Sequence, residues 1–296
     1  VKGKKVLEKE IISVKDFLGL AKLSNNALEL FKTIYPDLVQ PGVKQVGLAL
    51  ETTLGLANTI LLPLKLMNSN ANVYFNQHME KYRVKMAEVD ENEVVQVPPQ
   101  ISLNILDELL KVTNEDIANL FINLLANAST KSTIKYAHPG FIEVIKNLSA
   151  DEAKIISEIC AKGEPIIYAY IDGHNNGIVP VPLTNQENNI TDMIDLDFKE
   201  NNTFYALNLI KLGILKDERL ADKSLIDKYN KIQGRMNDAM EEILNTIEEM
   251  KMSGSSIDVQ PTFARGRYSI TEFGEQFIKS ISEIPHNQLQ GNEVNN

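Results

Sequence analysis

Apolar side chains recur along most of this chain at helical rather than strand spacing. Phe75, Met79, Tyr82, Met86 and Val89 follow one another by alternating steps of four and three, which puts all five on one helical face. Ile105, Leu106 and Leu109 repeat the pattern behind Ser102, a cap type. Ile117, Leu120, Phe121, Leu124 and Leu125 form a stripe behind Thr113 or Asn114. His138-Pro139 opens a further helix that buries Phe141, Ile142, Ile145 and Leu148, because proline suits the first helical position. Ser149 and Glu152 have the spacing of a capping box ahead of Ile155, Ile156 and Ile159.

The period then changes. Ile166 to Ile171 and Ile178 to Val181 are rich in β-branched residues on either side of a Gly173 to Gly177 turn, which predicts a hairpin. Helical spacing returns over 203–212, ended by Gly213. It continues over one long helix, 223–252, where Tyr229, Ile232, Met236, Met240, Ile243, Ile247 and Met250 recur at nearly heptad intervals. Ile257 to Ser269 reads as extended, and Thr271 caps a last helix through Phe273, Phe277 and Ile281. Towards the start, residues 4–35 read as one or two amphipathic helices stopped at Pro36, and 42–67 as an apolar helix kinked by Pro63.

The expected fold is mainly α with a small β component: an N-terminal helical array plus a winged-helix-like α+β C-terminal half with a long helical insertion. Its divisions would be a helical region over 1–97, three punctuated helices over 98–148, the winged-helix-like region over 149–285 containing the 223–252 helix, and a polar, disordered tail over 286–296.

Charge narrows the partners. Net charge is −10 over 296 residues, and residues 1–148 hold 16 basic and 16 acidic side chains against 14 and 24 in 149–296. The second half therefore carries the whole imbalance and repels phosphate backbones on average. In a winged helix the reading helix, Asn201 to Leu212, would bring Lys211 as its only basic residue, and the wing only Arg265 and Arg267. Protein docking or self-assembly is expected there, in preference to nucleic acid. The single cysteine, Cys160, excludes an internal disulfide framework and fits a reducing compartment. Lys2, Lys4 and Lys5 lead into Glu8 and Glu10 rather than a secretory apolar run, so a cytoplasmic protein is expected.

Three sets of side chains could carry a function. Asn119, Asn123 and Asn127 recur every fourth residue along one helical edge, and with Ser129, Thr130 and His138 they concentrate hydrogen-bonding groups. They suit either a ligand or partner site, or the tying-off of helix ends. Asp172, Asp197 and Lys199 imitate the acidic and acidic-x-lysine set of certain Mg²⁺-dependent nucleases, although the flanking residues 188–192 and 200–202 resemble a solvated loop. Within 42–67, the twenty residues from Gln45 to Leu64 would match a hydrocarbon core of about 30 Å, yet Glu51, Thr52, Thr53 and Asn58 interrupt them. A constitutive span is not expected. A helix released onto the inner face of the membrane on activation would present Leu50, Leu54, Leu56, Ile60, Leu61 and Leu64. There is no nucleophile elbow, and His78, His138, His174 and His286 are scattered, so neither a metal nor a cofactor is expected.

The segment Leu120-Phe-Ile-Asn-Leu-Leu-Ala-Asn-Ala-Ser-Thr130, followed by His138-Pro-Gly-Phe141 and Leu148-Ser-Ala-Asp-Glu-Ala153, resembles the signature of the abortive-infection alpha family of bacterial anti-phage proteins. Similar patterns stand at Val39 to Gly47, Leu212 to Leu215 and Tyr268 to Gly274, so the resemblance spans roughly 37 to 280. It implies a defence setting in which an infected cell stops growing before the phage completes its cycle, and it brings no catalytic residue with it. The expected function is non-enzymatic defence through protein recognition or regulated assembly. The alternatives are a membrane-acting effector using 42–67 and a Mg²⁺-dependent nuclease.

Overall fold

A computed structural model describes residues 69–284, apart from 96, 176–177 and 256–258. The helices expected over 4–35 and 42–67, and the tail from 286, lie outside the described residues. Two compact units are present: Asp151–Glu275, and the residues on either side of it. The described chain is mostly helical with one small antiparallel sheet.

In the flanking unit, α1 (Ser69–Ala87) buries Phe75, Met79, Tyr82 and Met86, and Val89, in the turn just beyond it, completes the four-three stripe in the core. α2 (Pro99–Leu109) starts a turn earlier than its serine suggests. Pro99 takes the first helical position, where no N–H is needed, and Ser102 instead sits inside the helix with its hydroxyl 3.4 Å from the Pro98 carbonyl. Asn114 is the cap of α3 (Glu115–Ala128). Its Oδ1 accepts from the Ile117 N–H at 3.1 Å, while Glu115 and Asp116 place negative charge at the positive end of the helix dipole. α4 (Gly140–Lys146) follows Pro139 and buries Phe141, Ile142, Val144 and Ile145.

The other unit is built on β1 (Ile166–Asn175), which follows α5 (Ala150–Lys162). Its partners are β2 (Ile178–Pro182), the short β3 (Glu187–Asn188) and β5 (Gln260–Ile270), and β4 (Leu215–Glu218) pairs with the far side of β5. All pairings are antiparallel, and the order is β2-β1-β5-β4. The hairpin expected from the β-branched runs is the β1–β2 pair. Because side chains alternate across a strand, Ile167, Ala169 and Ile171 share one face of β1, and there they pack with Tyr229, Ile232 and Met236. The opposite face carries Tyr168 and Tyr170, with Tyr268 beside them. Gly266 faces Tyr168 across the β1–β5 ladder, and its missing side chain leaves the space that the Tyr168 ring fills.

Between β1 and β4 lie α6 (Ile190–Met193), a 3₁₀ turn (Lys199–Asn201) and α7 (Asn202–Lys211). Gly213, at φ 77°, ends α7 in a left-handed cap, with the Gly213 N–H bonded to Ile210 and the Ile214 N–H to Leu209. The stretch expected as one helix over 223–252 is divided into a 3₁₀ turn (Lys223–Leu225), α8 (Ile226–Gly234) and α9 (Asn237–Met252). The break has a local cause. Gly234 is a poor helix former, Met236 turns into the core cluster, and the Arg235 guanidinium reaches Asp192 at 3.0 Å and the Asn188 carbonyl at 2.6 Å. α10 (Glu272–Ile281) follows β5, with Thr271 Oγ1 accepting from the Gly274 N–H at 2.8 Å as its cap. Among the described residues no helix is long and apolar enough to cross a membrane.

Candidate functional site

The polar groups gathered on α3 bond to the protein itself. Asn127 is 1% exposed, and its Nδ2 lies 2.8–3.0 Å from three carbonyl oxygens, those of Asn123, Ser280 and Ser282. Asn123 donates to the Ile281 carbonyl at 2.8 Å. The last carbonyls of a helix have no partner within it, so these two amides satisfy the end of α10 from outside. Ser129 bonds Tyr82 and the Leu125 carbonyl, both at 2.7 Å, and Thr130 bonds the Ala126 carbonyl at 2.9 Å. His138 Nδ1 accepts from the Gly140 N–H at 3.0 Å where α4 begins, and its ring meets Phe141 edge-on at 5.8 Å. Asn119 is half-buried on the same helix.

This clamp makes a prediction that separates it from a ligand site. Asn127→Leu keeps the size of the side chain and strands buried carbonyls, so stability should fall by about 2–4 kcal/mol. Asn127→Asp should cost more, because its oxygens would face three acceptors. Thermal unfolding measures both; unchanged midpoints would show that the amide is not structural.

Of the three nuclease-like residues, Asp197 and Lys199 are each paired with another side chain, while the Asp172 Oδ1 is buried without a hydrogen-bond partner. Asp197 bonds Lys154 at 2.8 Å, and Lys199 pairs with Asp195 at 2.7 Å. Asp172 lies on β1 opposite Pro182 and Thr262. Among the described residues no group of three His, Cys, Asp or Glu side chains could hold a metal ion. The membrane-contact candidates from Leu50 to Leu64 fall outside the described residues.

A different surface stands out on α7. Tyr205, Ala206 and Leu209 face inward, which leaves Phe204 64% and Leu207 51% exposed on the outward side, with Lys211 one turn further on. Other large apolar side chains are as exposed, Leu220 at 68% and Met252 at 83% among them; Phe204 and Leu207 differ in sharing one outward face of a helix. The edges of the face are tied down. Thr203 bonds the Gln186 carbonyl at 3.0 Å and Asn208 bonds Glu152 at 2.8 Å. The start of α7 is held by Asp151, whose carboxylate accepts from the Asp197 and Phe198 N–H groups and from the Tyr205 hydroxyl, all within 3.0 Å. The apolar content of 203–212 was legible as a helix. The further signal, that 204 and 207 lie opposite 205, 206 and 209, was present in the same ten residues.

The basic residues of the sheet are also occupied. Arg265 donates to Gln233 at 2.9 Å and lies over the Tyr229 ring, and Arg267 bonds Glu218 at 2.9 Å. Lys211, exposed at the end of α7, has no ion-pair partner among the described residues.

Among family models, that of abortive infection alpha matches residues 74–281. No curated protein and no solved structure matches the chain.

Proposed function

We propose that this chain, which belongs to the abortive infection alpha family, contributes to phage defence by docking a protein on the outward face of α7. Family membership suggests the setting, and the exposed Phe204–Leu207 pair carries the rest of the proposal. Support also comes from the topology. With β2 and β3, which follow β1 and pair with it, set aside as additions, α5, β1, α6, α7, β4 and β5 follow in the chain order of a winged helix, β5 lies between β1 and β4 as its third strand would, and α8 with α9 forms the insertion. Read as a winged helix, the chain would use α7 as its reading helix, and α7 offers apolar side chains where base or phosphate contacts would require arginine and lysine. Arg265 and Arg267, the wing arginines, are spent on Gln233, Asn230, Glu218 and Asp222. Recognition without chemistry fits a site with exposed apolar side chains and no convergent acid, base or nucleophile.

The test is a plaque assay in cells carrying the whole chain. Phe204→Asp together with Leu207→Asp should reduce protection on the order of tenfold or more, since apolar anchors dominate docking energies. The variant should keep its helical circular dichroism and melting temperature, because both side chains face solvent. Full protection by a folded double variant would remove this surface from the function.

A further inference from the structure

The charges that flank the apolar pair on α7 follow a rule of symmetry. Glu200, Phe204, Leu207 and Lys211 are spaced by four, three and four: Phe204, Leu207 and Lys211 share the outward face of α7, and Glu200 lies in the 3₁₀ turn that leads into it. All four are exposed, and neither Glu200 nor Lys211 has an ion-pair partner among the described residues. Their neighbours do. Lys199 is held by Asp195 and Asp197 by Lys154, so Glu200 and Lys211 are the charges left for an external partner at the two ends of the stripe.

Positions 200 and 211 are equally far from the midpoint between Tyr205 and Ala206, and so are 204 and 207. A two-fold axis through that midpoint, perpendicular to α7, therefore sets Phe204 of one copy against Leu207 of the other. It also sets each Glu200 against the other copy's Lys211. A parallel pairing would oppose glutamate to glutamate and lysine to lysine. Of the two, only the antiparallel arrangement is self-complementary in charge, as a closed two-fold interface must be.

Resting on the docking surface proposed above, we infer that its occupant is a second copy of this chain, bound through an antiparallel α7–α7 contact. The face extends roughly 16 Å along the helix at 1.5 Å per residue, and an interface of that size falls in the weak class. Two chains of net charge −10 also repel one another at long range, which leaves the local match to select the geometry. Self-association is then dependent on concentration.

Charge swapping on the full chain tests this by analytical ultracentrifugation over a range of concentrations. Glu200→Lys alone, or Lys211→Glu alone, converts two attractive contacts of the dimer into two repulsive ones and should weaken it by roughly tenfold or more. Glu200→Lys combined with Lys211→Glu should restore it. Each single change opposes the helix dipole slightly, and the double variant bears both effects, so recovery cannot come from a steadier helix. A wild type that stays monomeric throughout, or folded single variants that dimerise unaltered, would overturn the inference, as would a double variant that fails to recover. If the wild type is monomeric while Phe204→Asp with Leu207→Asp still abolishes phage protection, the docking surface stands and its occupant is a different protein.

Discussion

Gly274→Ala should destabilise the Asp151–Glu275 unit by about 3 kcal/mol or more, although alanine is the better helix former by about 1 kcal/mol. Gly274 sits in the first turn of α10, where the chain passes directly against the end of α7. The Thr271 N–H donates to the Ile214 carbonyl at 3.0 Å and the Thr271 hydroxyl to that of Gly213, which anchors the helix start to the α7 cap. A Cβ on Gly274 would press into the Ile214 carbonyl oxygen and lie 3.0 Å from its carbon. Both are backbone atoms, already fixed by the glycine cap of α7, so neither can swing aside as a flexible side chain could. The strain must then be relieved by moving α10 or by breaking the Thr271 cap. A loss of this size lowers the melting temperature by roughly 10 °C in a unit of these dimensions. Gly234→Ala is the internal control. It lies at the end of α8, nothing is within 4 Å of an added Cβ, and the change should be neutral or stabilising by up to about 1 kcal/mol. Urea unfolding should therefore show a loss for Gly274→Ala and none for Gly234→Ala, and a Gly274→Ala protein as stable as the wild type would mean that α10 does not approach α7 so closely.

How much of this was legible in the sequence depends on how far a residue's partners lie along the chain. The stripe from Phe75 to Val89 needs only the helical period to be read, and every member is buried. The β1–β2 hairpin is similarly local. Asn123 and Asn127 show the contrary case. Their fourth-residue spacing put them on one edge, but the carbonyls they bind belong to Ser280, Ile281 and Ser282, more than 150 positions away, and no short-range pattern announces such a pairing. Near-heptad spacing over 223–252 predicted continuity because it records only which side chains are apolar. The break follows from Arg235 reaching Asp192 and Asn188, again across some forty residues. On α7 the apolar content predicted a helix but not which of its sides the fold would cover. The surrounding fold covers only one side, and this leaves Phe204 and Leu207 in solvent.

Asp151 connects the stability of this unit to the surface of α7. It lies in the first turn of α5 at 2% exposure, and its two oxygens accept from the Asp197 N–H at 2.9 Å, the Phe198 N–H at 3.0 Å and the Tyr205 hydroxyl at 2.9 Å, with Lys154 alongside. Asp151→Asn keeps the shape but turns an amide N–H₂ toward a ring of donors. At least one buried donor then loses its acceptor and Lys154 loses its buried partner while keeping the exposed Asp197, so the unit should lose about 2–4 kcal/mol at neutral pH. The same carboxylate sets a pH dependence. Burial pushes its pKa up, but the two backbone amides, Tyr205 and Lys154 together outweigh burial and hold it below the ordinary aspartate value. A carboxyl whose folded pKa lies below its unfolded pKa binds fewer protons when native. Its contribution is therefore complete above the unfolded value of about 3.9 and is lost as pH falls through the folded one. Wild-type stability should decline across that acid window, and Asp151→Asn, with no proton to bind there, should show a flatter profile in urea unfolding at pH 7 and at successively lower pH. Amide exchange should quicken first over 197–205, because the Asp197 and Phe198 N–H groups and the Tyr205 hydroxyl lose their common acceptor. If Asp151→Asn left both exchange and acid sensitivity unchanged, α7 would have to be held by its apolar inner face alone, and the outward set of Phe204 and Leu207 would owe nothing to Asp151.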